Sequence, residues 1–546
     1  DKIDRDYGYG AFLLGLSILA LNGENGISSV PLYPFTPRSS SENYIKANRR
    51  YHLDEAGVLY VEYGKAYSEI GKRYNPGFIA VYAQALYKNY LNANDSRYKE
   101  LFFKQIEWLI KNRSCRFYNE MPFWVWEYDF DNEKFRAKAP WVSAYANGKI
   151  IPVLLKAYEI SRDLKYLRAA ELSFRAFIVP VNAGGLGTFE KDVAWYEEVA
   201  GESAPSSKIL NGHISALAGL WTFWKCSGRK DVRKALDFGI SAVKRDLKIY
   251  DSGFLSYYSQ YPKDPPVFAP AHGYNTLHVH QLLWLHSITD DPVFLSYAIK
   301  FAGYDDPGFK FSVAGSTDPK GHGPDNLKME MGNKYWSHND FPTWVQIDLG
   351  STQEVYGISI LGYIAKASPK DYDVLVSLDG NEWRSLLHKR GNKEQFVTEI
   401  FQPEKTRFLR IVIMSDNGNR NVALKGIGIH RRKGNPVAVS NWDWFSSGNK
   451  PELLFTSGWR IHKGTGWLIA DVVKENSKNI IFEFEGRPAP EITFFGSNDL
   501  KNFSPLRFYI LKTDRNKTNF FIDIDQFRYI RLNVVGEEGG ILRIVK

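Results

Sequence analysis

From Asn75 to about Gly303 apolar side chains recur at helical spacing, in paired runs separated by short polar turns. Phe78, Val81, Tyr82, Ala85 and Leu86 form one stripe, answered after Asn94-Asp95-Ser96 by Leu101, Phe102, Ile106 and Leu109. This predicts a helical hairpin. Three more pairs are predicted, over 141–160 with 164–177, 210–224 with 232–243, and 277–288 with 293–301. Their turns carry Asp163, Cys226-Ser-Gly228 and Thr289-Asp-Asp-Pro292, the residue types that cap helices and reverse the chain. The first helices begin near 76, 140, 208 and 275, a nearly constant step. An array of four α-hairpins at such a period is expected to close into an α/α toroid.

Elsewhere the pattern is that of strands. Tyr51, Leu53, Val58, Tyr60 and Val61 alternate around Asp54-Glu-Ala-Gly57, which predicts a strand-turn-strand arm. After Asp305 short β-rich runs take over, at 344–349, 355–360, 373–377 and 408–413, and again after Lys433-Gly-Asn-Pro436 at 480–484, 492–496 and 529–534. The expected architecture is a multidomain α + β chain. It comprises an apolar segment (1–24), a short β arm (25–74), an α/α toroid (75–304), a β-sandwich or jelly roll (305–435) and a second β-sandwich (436–546). The apolar run Ala11–Leu21 behind Lys2 and Arg5 falls short of the ~20 residues of a spanning helix. It reads as a signal-peptide core or trimmed membrane anchor, which sets the chain outside the cytoplasm; the alternative is a first buried helix.

With 546 residues, 24% charged and 15% aromatic, the chain has ample means to bury several cores, and disorder is excluded. Lys and Arg number 70 against 61 Asp and Glu, a net charge of +9 that favours anionic partners. The charge alone leaves nucleic acid and acidic polysaccharide both open, and no motif stands behind the former, which is set aside. Cys115 and Cys226 are too few for a disulfide framework or a Cys-based zinc site and allow at most one bridge. Gly184-Gly-Leu-Gly187 lacks a phosphate-loop lysine, and His278 and His280 do not share a helix face, so no cofactor is expected. Sequons at Asn94, Asn112, Asn502 and Asn516 matter only in a glycosylating host.

Two segments hold proton-moving side chains just ahead of predicted helices: Trp195-Tyr-Glu-Glu198 with Lys208–His213, and Gly273–His280. A carboxylate and a phenol together suit abstraction and return of a weakly acidic carbon-bound proton. The bland reading makes Glu197 and Glu198 solvated loop charges and Tyr274 a capping aromatic, and spacing alone does not decide between the two.

The strings Ala139–Gly148, Trp195–Glu198 with Leu210-Asn-Gly212, and Tyr274–His278 ahead of Asp290–Phe294 resemble the C-terminal catalytic region of D-glucuronyl C5-epimerases. That resemblance implies an α/α barrel, often dimeric, that inverts C5 of uronic acid residues in a glycosaminoglycan of the heparosan type, as in heparan sulfate biosynthesis. It implies Glu198 as acid or base on one face of the sugar and Tyr274 on the other, with Trp195, Asn211 and His278 shaping the pocket. Trp141, Asn147, Tyr196 and Glu197, within the same strings, and Lys149, just beyond the first of them, are the further substrate-binding candidates. Two departures stand out. Val199-Ala200 follow where the family has Tyr-Pro, and Phe254–Tyr261 replaces a string holding a tyrosine and a carboxylate-binding arginine. Tyr257, Tyr258 and Tyr261 are candidate replacements for the phenol, and Arg136, Lys149 and Lys191 lie in the right region to supply a cation.

Tyr335-Trp-Ser, Trp344–Gly350, Val376–Trp383 and Arg407–Ile411 resemble the discoidin, or coagulation-factor C-type, jelly roll. This implies glycan binding by loops at one end and admits a structural calcium held by backbone oxygens. Trp336, Trp344 and Trp383 are expected in its core. Phe494–Asp499 and Phe527–Leu532 give the last module a similar outline, without the Trp-x-x-Ile-Asp-Leu-Gly string. The leading expectation is a uronyl C5-epimerase acting on an acidic polysaccharide. The alternatives are a polysaccharide lyase sharing H5 abstraction, a hydrolase pairing Glu198 with Glu127 or Asp129, and a glycan-binding protein on the same scaffold.

Overall fold

The computed structural model describes residues 30–37, 39–64, 70–201, 204–260, 267–269, 271–304, 308–318, 320–329, 334–431, 437–440, 459–461, 464–472, 479–486, 488–514, 516–524, 527–536 and 540–545. The apolar run 11–21 and Tyr261 lie outside them. No described helix is long and apolar enough to cross a membrane. The chain divides into two compact units, Asp1–Leu247 with Ser259–Tyr261, and Lys248–Tyr258 with Pro262–Lys546.

In the first unit a short helix, α1 (Ser41–Lys46), precedes a three-stranded antiparallel arm of β1 (Tyr51–Leu53), β2 (Leu59–Tyr63) and β3 (Gly71–Arg73). Three hairpins follow: α2 (Pro76–Ala93) with α3 (Ser96–Lys111), α4 (Ala144–Ser161) with α5 (Leu164–Arg175), and α6 (Leu210–Ser227) with α7 (Lys230–Asp246). The polar punctuation does what its chemistry predicts. Asn75, Asp95, Ser143 and Asp163 each accept a backbone N–H at a helix start. Asn94, Arg162 and Gly228 close the first helices in the left-handed region. The first helices α2, α4 and α6 pack side by side and are buried around most of their surface, whereas α3 and α7 bury one stripe. The α4–α6 crossing is closest at Gly148, where a Cβ would stand 2.6 Å from Ala216 Cα. Two ribbons the helical periodicity does not announce sit between hairpins, β4 (Ser114–Tyr118) with β5 (Met121–Val125), and β6 (Gly187–Glu190) with β7 (Val193–Tyr196).

The second unit, after Lys248–Tyr258, holds the fourth hairpin, α8 (Thr276–Thr289) and α9 (Pro292–Ala302), with Asp291 capping α9. The domain expected over 75–304 is thus divided, three hairpins grouping in one unit and the fourth in the other.

The next module holds β8 (Lys310–Val313), β9 (Trp336–His338), β10 (Thr343–Gly362), β11 (Pro369–Ser377), β12 (Arg384–Lys389), β13 (Phe396–Asp416) and β14 (Val422–Arg431). β10 and β13 pair along most of their length, with register shifts between Asp348 and Gln353 and between Val355 and Gly357. Through these bends they pass from one layer to the other: their first-layer halves continue into β8, β11 and β12, and their second-layer halves into β14 and β9. Trp336, Val345, Ile347, Ile358, Tyr372, Ile411 and Leu424 fill the core between the layers.

The last module repeats this order with the long strands cut in two. β15 (Val437–Ser440), β17 (Gly464–Asp471), β23 (Tyr529–Gly536), β19 (Glu491–Ser497) and β20 (Ser504–Pro505) form one sheet. β16 (Trp459–Arg460), β24 (Ile541–Ile544), β18 (Asn479–Glu485), β22 (Lys517–Asp523) and β21 (Phe508–Asp514) form the other. Its tertiary pairs repeat too. Arg407 binds Asp348 at 3.0 Å, and Arg528 binds Asp471 at 2.8 Å. Arg410 lies 4.9 Å from the Trp344 ring and 4.0 Å from Trp383, and Arg531 lies 5.5 Å from Trp467 and 5.8 Å from Phe503. Asp379 and Asp499 each close a turn by accepting from a serine two residues before. Of the three tryptophans expected in the core only Trp336 is there; Trp344 and Trp383 are half-buried, clasping Arg410. Cys115 and Cys226 are both free, so the single bridge the sequence allows is not made.

Candidate active site

Glu198 owes its position to the chain following β7. Ala144 N donates to Glu197 O at 2.9 Å, and Val142 and Ala200 exchange N–H···O bonds of 2.8 and 2.9 Å. Residues 197–200 are thereby fastened beside the start of α4, which the Ser143 side chain caps at Ala146 N. On its other side Glu198 meets the first turn of α6. There Gly212 leaves it room, since a Cβ would stand 2.6 Å from Glu198 Cβ and 2.7 Å from its Cδ.

The two adjacent glutamates diverge completely. Glu197 is 1% exposed and accepts from Ser207 N at 3.0 Å, Ser207 Oγ at 2.9 Å, Lys208 N at 3.0 Å and Thr188 Oγ1 at 3.3 Å, with Ser206 Oγ in short contact. Burial raises its pKa against the pull of these donors. Glu198 has no such escort: its Oε2 is shielded from solvent and has no hydrogen-bond partner among the described residues. Burial pushes its carboxyl up to about 7, and the positive charges of Lys134 and Lys149 hold it from rising further.

Lys149 stands one helical turn beyond Tyr145 on α4 and is 4% exposed. Its Nζ donates to Tyr33 Oη at 3.3 Å and lies 4.5 and 4.7 Å from the ring centroids of Tyr33 and Tyr145. Burial pulls this ammonium down to about 7, opposed by the charge of Glu198. Tyr33 is held by its own donation to Ser215 O at 2.9 Å. Tyr128 donates to Asn75 Oδ1 at 3.2 Å and stacks at 3.9 Å on Trp141, whose Nε1 donates to Phe130 O at 2.7 Å. Burial, with the Glu198 charge adding to it, keeps the Tyr128 and Tyr145 phenols protonated far beyond the ordinary tyrosine range. A carboxylate that changes charge near neutrality, with one free oxygen, can accept a proton from a carbon acid, and the phenols beside it remain hydrogen-bond donors.

In the second unit Tyr274 lies on a wide helical turn, Ala271–Asn275, that leads into α8. It is half-buried and meets Tyr258 edge to face at 4.8 Å. Tyr257 turns elsewhere, stacking at 4.9 Å on Phe268, and burial raises its pKa, as does the Asp251 charge. His278 is fully buried. Ser256 Oγ donates to Asn275 Oδ1 at 2.8 Å, so the 2.8 Å contact between Ser256 Oγ and His278 Nδ1 is a donation from the imidazole. Burial holds that ring neutral, with a pKa pulled down to about 3.

Residues 119–303, which carry this chemistry, match the family of the D-glucuronyl C5-epimerase C-terminus. Residues 312–426 match the F5/8 type C domain. The D-glucuronyl C5-epimerase of Caenorhabditis elegans is 26% identical over 232 residues, 40% of this chain and 37% of the worm protein, so the chain spans little more than a third of that epimerase. An uncharacterized protein of Methanocaldococcus jannaschii is 28% identical over 289 residues, 50% of this chain and 91% of its own. Among solved structures, a Clostridium perfringens module in complex with GalNAc-β-1,3-galactose is 16% identical, over 22% of this chain and 96% of that one, with a TM-score of 0.22. A pectin-binding carbohydrate-binding module is 20% identical, over 23% and 91%, at 0.21.

Within the epimerase-matching segment, Glu198 and Lys149 come together, and Trp141 reaches them through the Tyr128 ring it stacks on. Tyr196, Glu197 and Asn147 are buried and hydrogen-bonded within the fold. Tyr196 is 1% exposed and donates to Ala235 O at 2.7 Å, and Asn147 Nδ2 donates to Trp124 O and Ser173 O at 2.9 and 3.1 Å. Trp195 is buried, stacked at 4.2 Å on His213, and Asn211 is buried in the first turn of α6. Tyr258 meets Tyr274, while Tyr257 and His278 each face other partners. Sequence reading missed Tyr33, Tyr128, Lys134 and Tyr145. Counting the helical face forward from the Ser143 cap puts Tyr145 and Lys149 together, but nothing local points to Tyr33, which meets Ser215 across 182 positions. Among the described residues no three His, Cys, Asp or Glu side chains gather as a metal site.

Proposed function

We propose that this protein is a C5-epimerase of uronic acid residues in an acidic polysaccharide of the heparosan type, with Glu198 as the base that removes H5. The observation that carries the reading is the contrast in one dipeptide: Glu197 is saturated with donors, while its neighbour keeps an unpartnered buried oxygen and a carboxyl titrating at about 7. The β modules are proposed to hold the glycan, in a setting outside the cytoplasm where such polymers lie.

H5 of an ionised uronate is weakly acidic, because removing it drives a second negative charge onto the sugar carboxylate. A base with a proton affinity raised into the neutral range is matched to that task. Return of the proton from the opposite face is assigned to the Tyr274 phenol on the sequence resemblance alone.

The test is incubation with heparosan and other uronate polymers in D₂O, following deuterium at C5 by NMR and the ultraviolet absorbance of unsaturated product in the same tube. Deuterium without absorbance is expected. Absorbance reassigns the same abstraction step to a lyase, and neither signal across the polymers makes the chain a glycan-binding protein.

A further inference from the structure

Lys149 is a buried cation whose donors are largely unanswered. An ammonium carries three N–H donors, and the acceptor that the described residues give this one is Tyr33 Oη, at 3.3 Å. Its remaining neighbours are the ring faces of Tyr33 and Tyr145. Ring faces attract a cation through their quadrupole but leave its N–H groups unbonded, and a buried charge in that state is costly until an anion completes it. Glu198 does not do so through Oε2, which accepts no hydrogen bond from any described donor. The cage is also firmly held. Gln84 Nε2 donates to Lys149 O at 3.3 Å, and the neighbouring Gly148 fixes α4 against α6.

We propose that Lys149 is the anion receptor beside Glu198, taking the carboxylate of the sugar whose carbon-bound proton Glu198 removes. The inference rests on the reading above and adds the group that makes its hard step affordable. When the C5–H bond breaks, the proton goes to the Glu198 carboxylate. The bonding pair forms a double bond between C5 and the carboxylate carbon, and the second negative charge settles on the carboxylate oxygens, against the ammonium. A proton delivered to C5 from the opposite face returns that pair to a C–H bond, and the proton on Glu198 passes to water.

Two measurements separate this inference from the reading beneath it. The first is deuterium entry at C5 of heparosan, where Lys149→Gln is expected to lose about 100-fold or more, the scale of one stabilising group removed from a developing oxyanion. The second needs no turnover: free glucuronate, set against glucose, is expected to raise the melting temperature of the wild type and not that of Lys149→Gln. Tyr145→Leu, which removes one ring face and keeps the lysine, is expected to weaken both effects and serves if the glutamine variant does not fold. Exchange in the wild type that survives in Lys149→Gln overturns the proposal, as do equal glucuronate shifts in the two proteins. No exchange on any polymer, with a lysine-dependent glucuronate shift, keeps the receptor and overturns the epimerase reading.

Discussion

Glu198 is half-buried with one oxygen shielded from solvent, His278 is fully buried in the first turn of α8, and both have pKa values moved by burial, yet the polar atoms around them are arranged differently. Beside His278 one ring nitrogen enters a closed chain, Nδ1 donating to Ser256, Ser256 to Asn275, and Asn275 to Phe301 O at 2.8 Å, while Nε2 has no partner among the described residues. Burial keeps the ring neutral across the physiological range. Around Glu198 the nearest groups are a caged ammonium, protonated phenols and the bare backbone of Gly212, and one carboxylate oxygen is left over. A network that closes on itself stiffens a fold, whereas one with an unfilled place stores the cost of burial for a ligand to relieve.

The hardest test of that contrast is Glu198→Gln. Deuterium entry at C5 is expected to fall by about 10²–10⁴-fold, the range of a lost general base. The fold should not suffer. Because the folded pKa of about 7 lies above the ordinary 4.5, the protein binds this proton more tightly when folded, and stability from that source is lost as pH rises from 4.5 through 7. The wild type should therefore lose melting temperature relative to Glu198→Gln over that window. The rate should rise through the same region, and removing the nearby charge in Lys149→Gln should move the rise to higher pH, with Lys134 the remaining cation and Tyr128 and Tyr145 still neutral.

Gly212→Ala comes next, since it attacks the geometry by driving a methyl onto the Glu198 carboxylate without removing any polar group. The new methyl would overlap the Glu198 side chain, so both activity and about 1–3 kcal/mol of stability are expected to go. A Gly212→Ala protein with full exchange would mean that Glu198 need not stand where it does. Glu197→Gln should invert the pattern of Glu198→Gln, costing about 1–3 kcal/mol in denaturant unfolding by disturbing the 206–208 loop, with a smaller loss of exchange rate.

Much of this was legible in the sequence, and the part that was not has a common cause. Hairpins are local, so the cap at Asp163 and the turns at Asn94-Asp95-Ser96 and Gly228 announced themselves. Glu198 was set apart from Glu197 by the resemblance and not by local pattern, because what separates them physically is the arrival of residues 206–208 on one side chain and of α4 and α6 on the other. The long strands β10 and β13 read as shorter separate runs because their bends carry polar and glycine residues that mimic turns. The last module hid its kinship in the same way. Trp467 and Asp471 keep the spacing of Trp344 and Asp348, but their partners Arg531, Phe503 and Arg528 come from other strands and turns, and a contiguous string does not record such pairs.

The mildest expected effect belongs to His278, and it is what would break the comparison. His278→Ala removes a donor to Ser256 Oγ, but that hydroxyl keeps its own bond to Asn275, so the lost hydrogen bond should add only about 1 kcal/mol to the cavity the ring leaves. The ring is neutral above about pH 3, so its removal should leave the pH–rate profile of C5 exchange with the shape Glu198 imposes. If instead His278→Ala erased one limb of that profile, the imidazole would be exchanging protons during turnover. The unpartnered Nε2 atom of His278 would then be a second unfilled place of the Glu198 kind rather than a cost the fold absorbs.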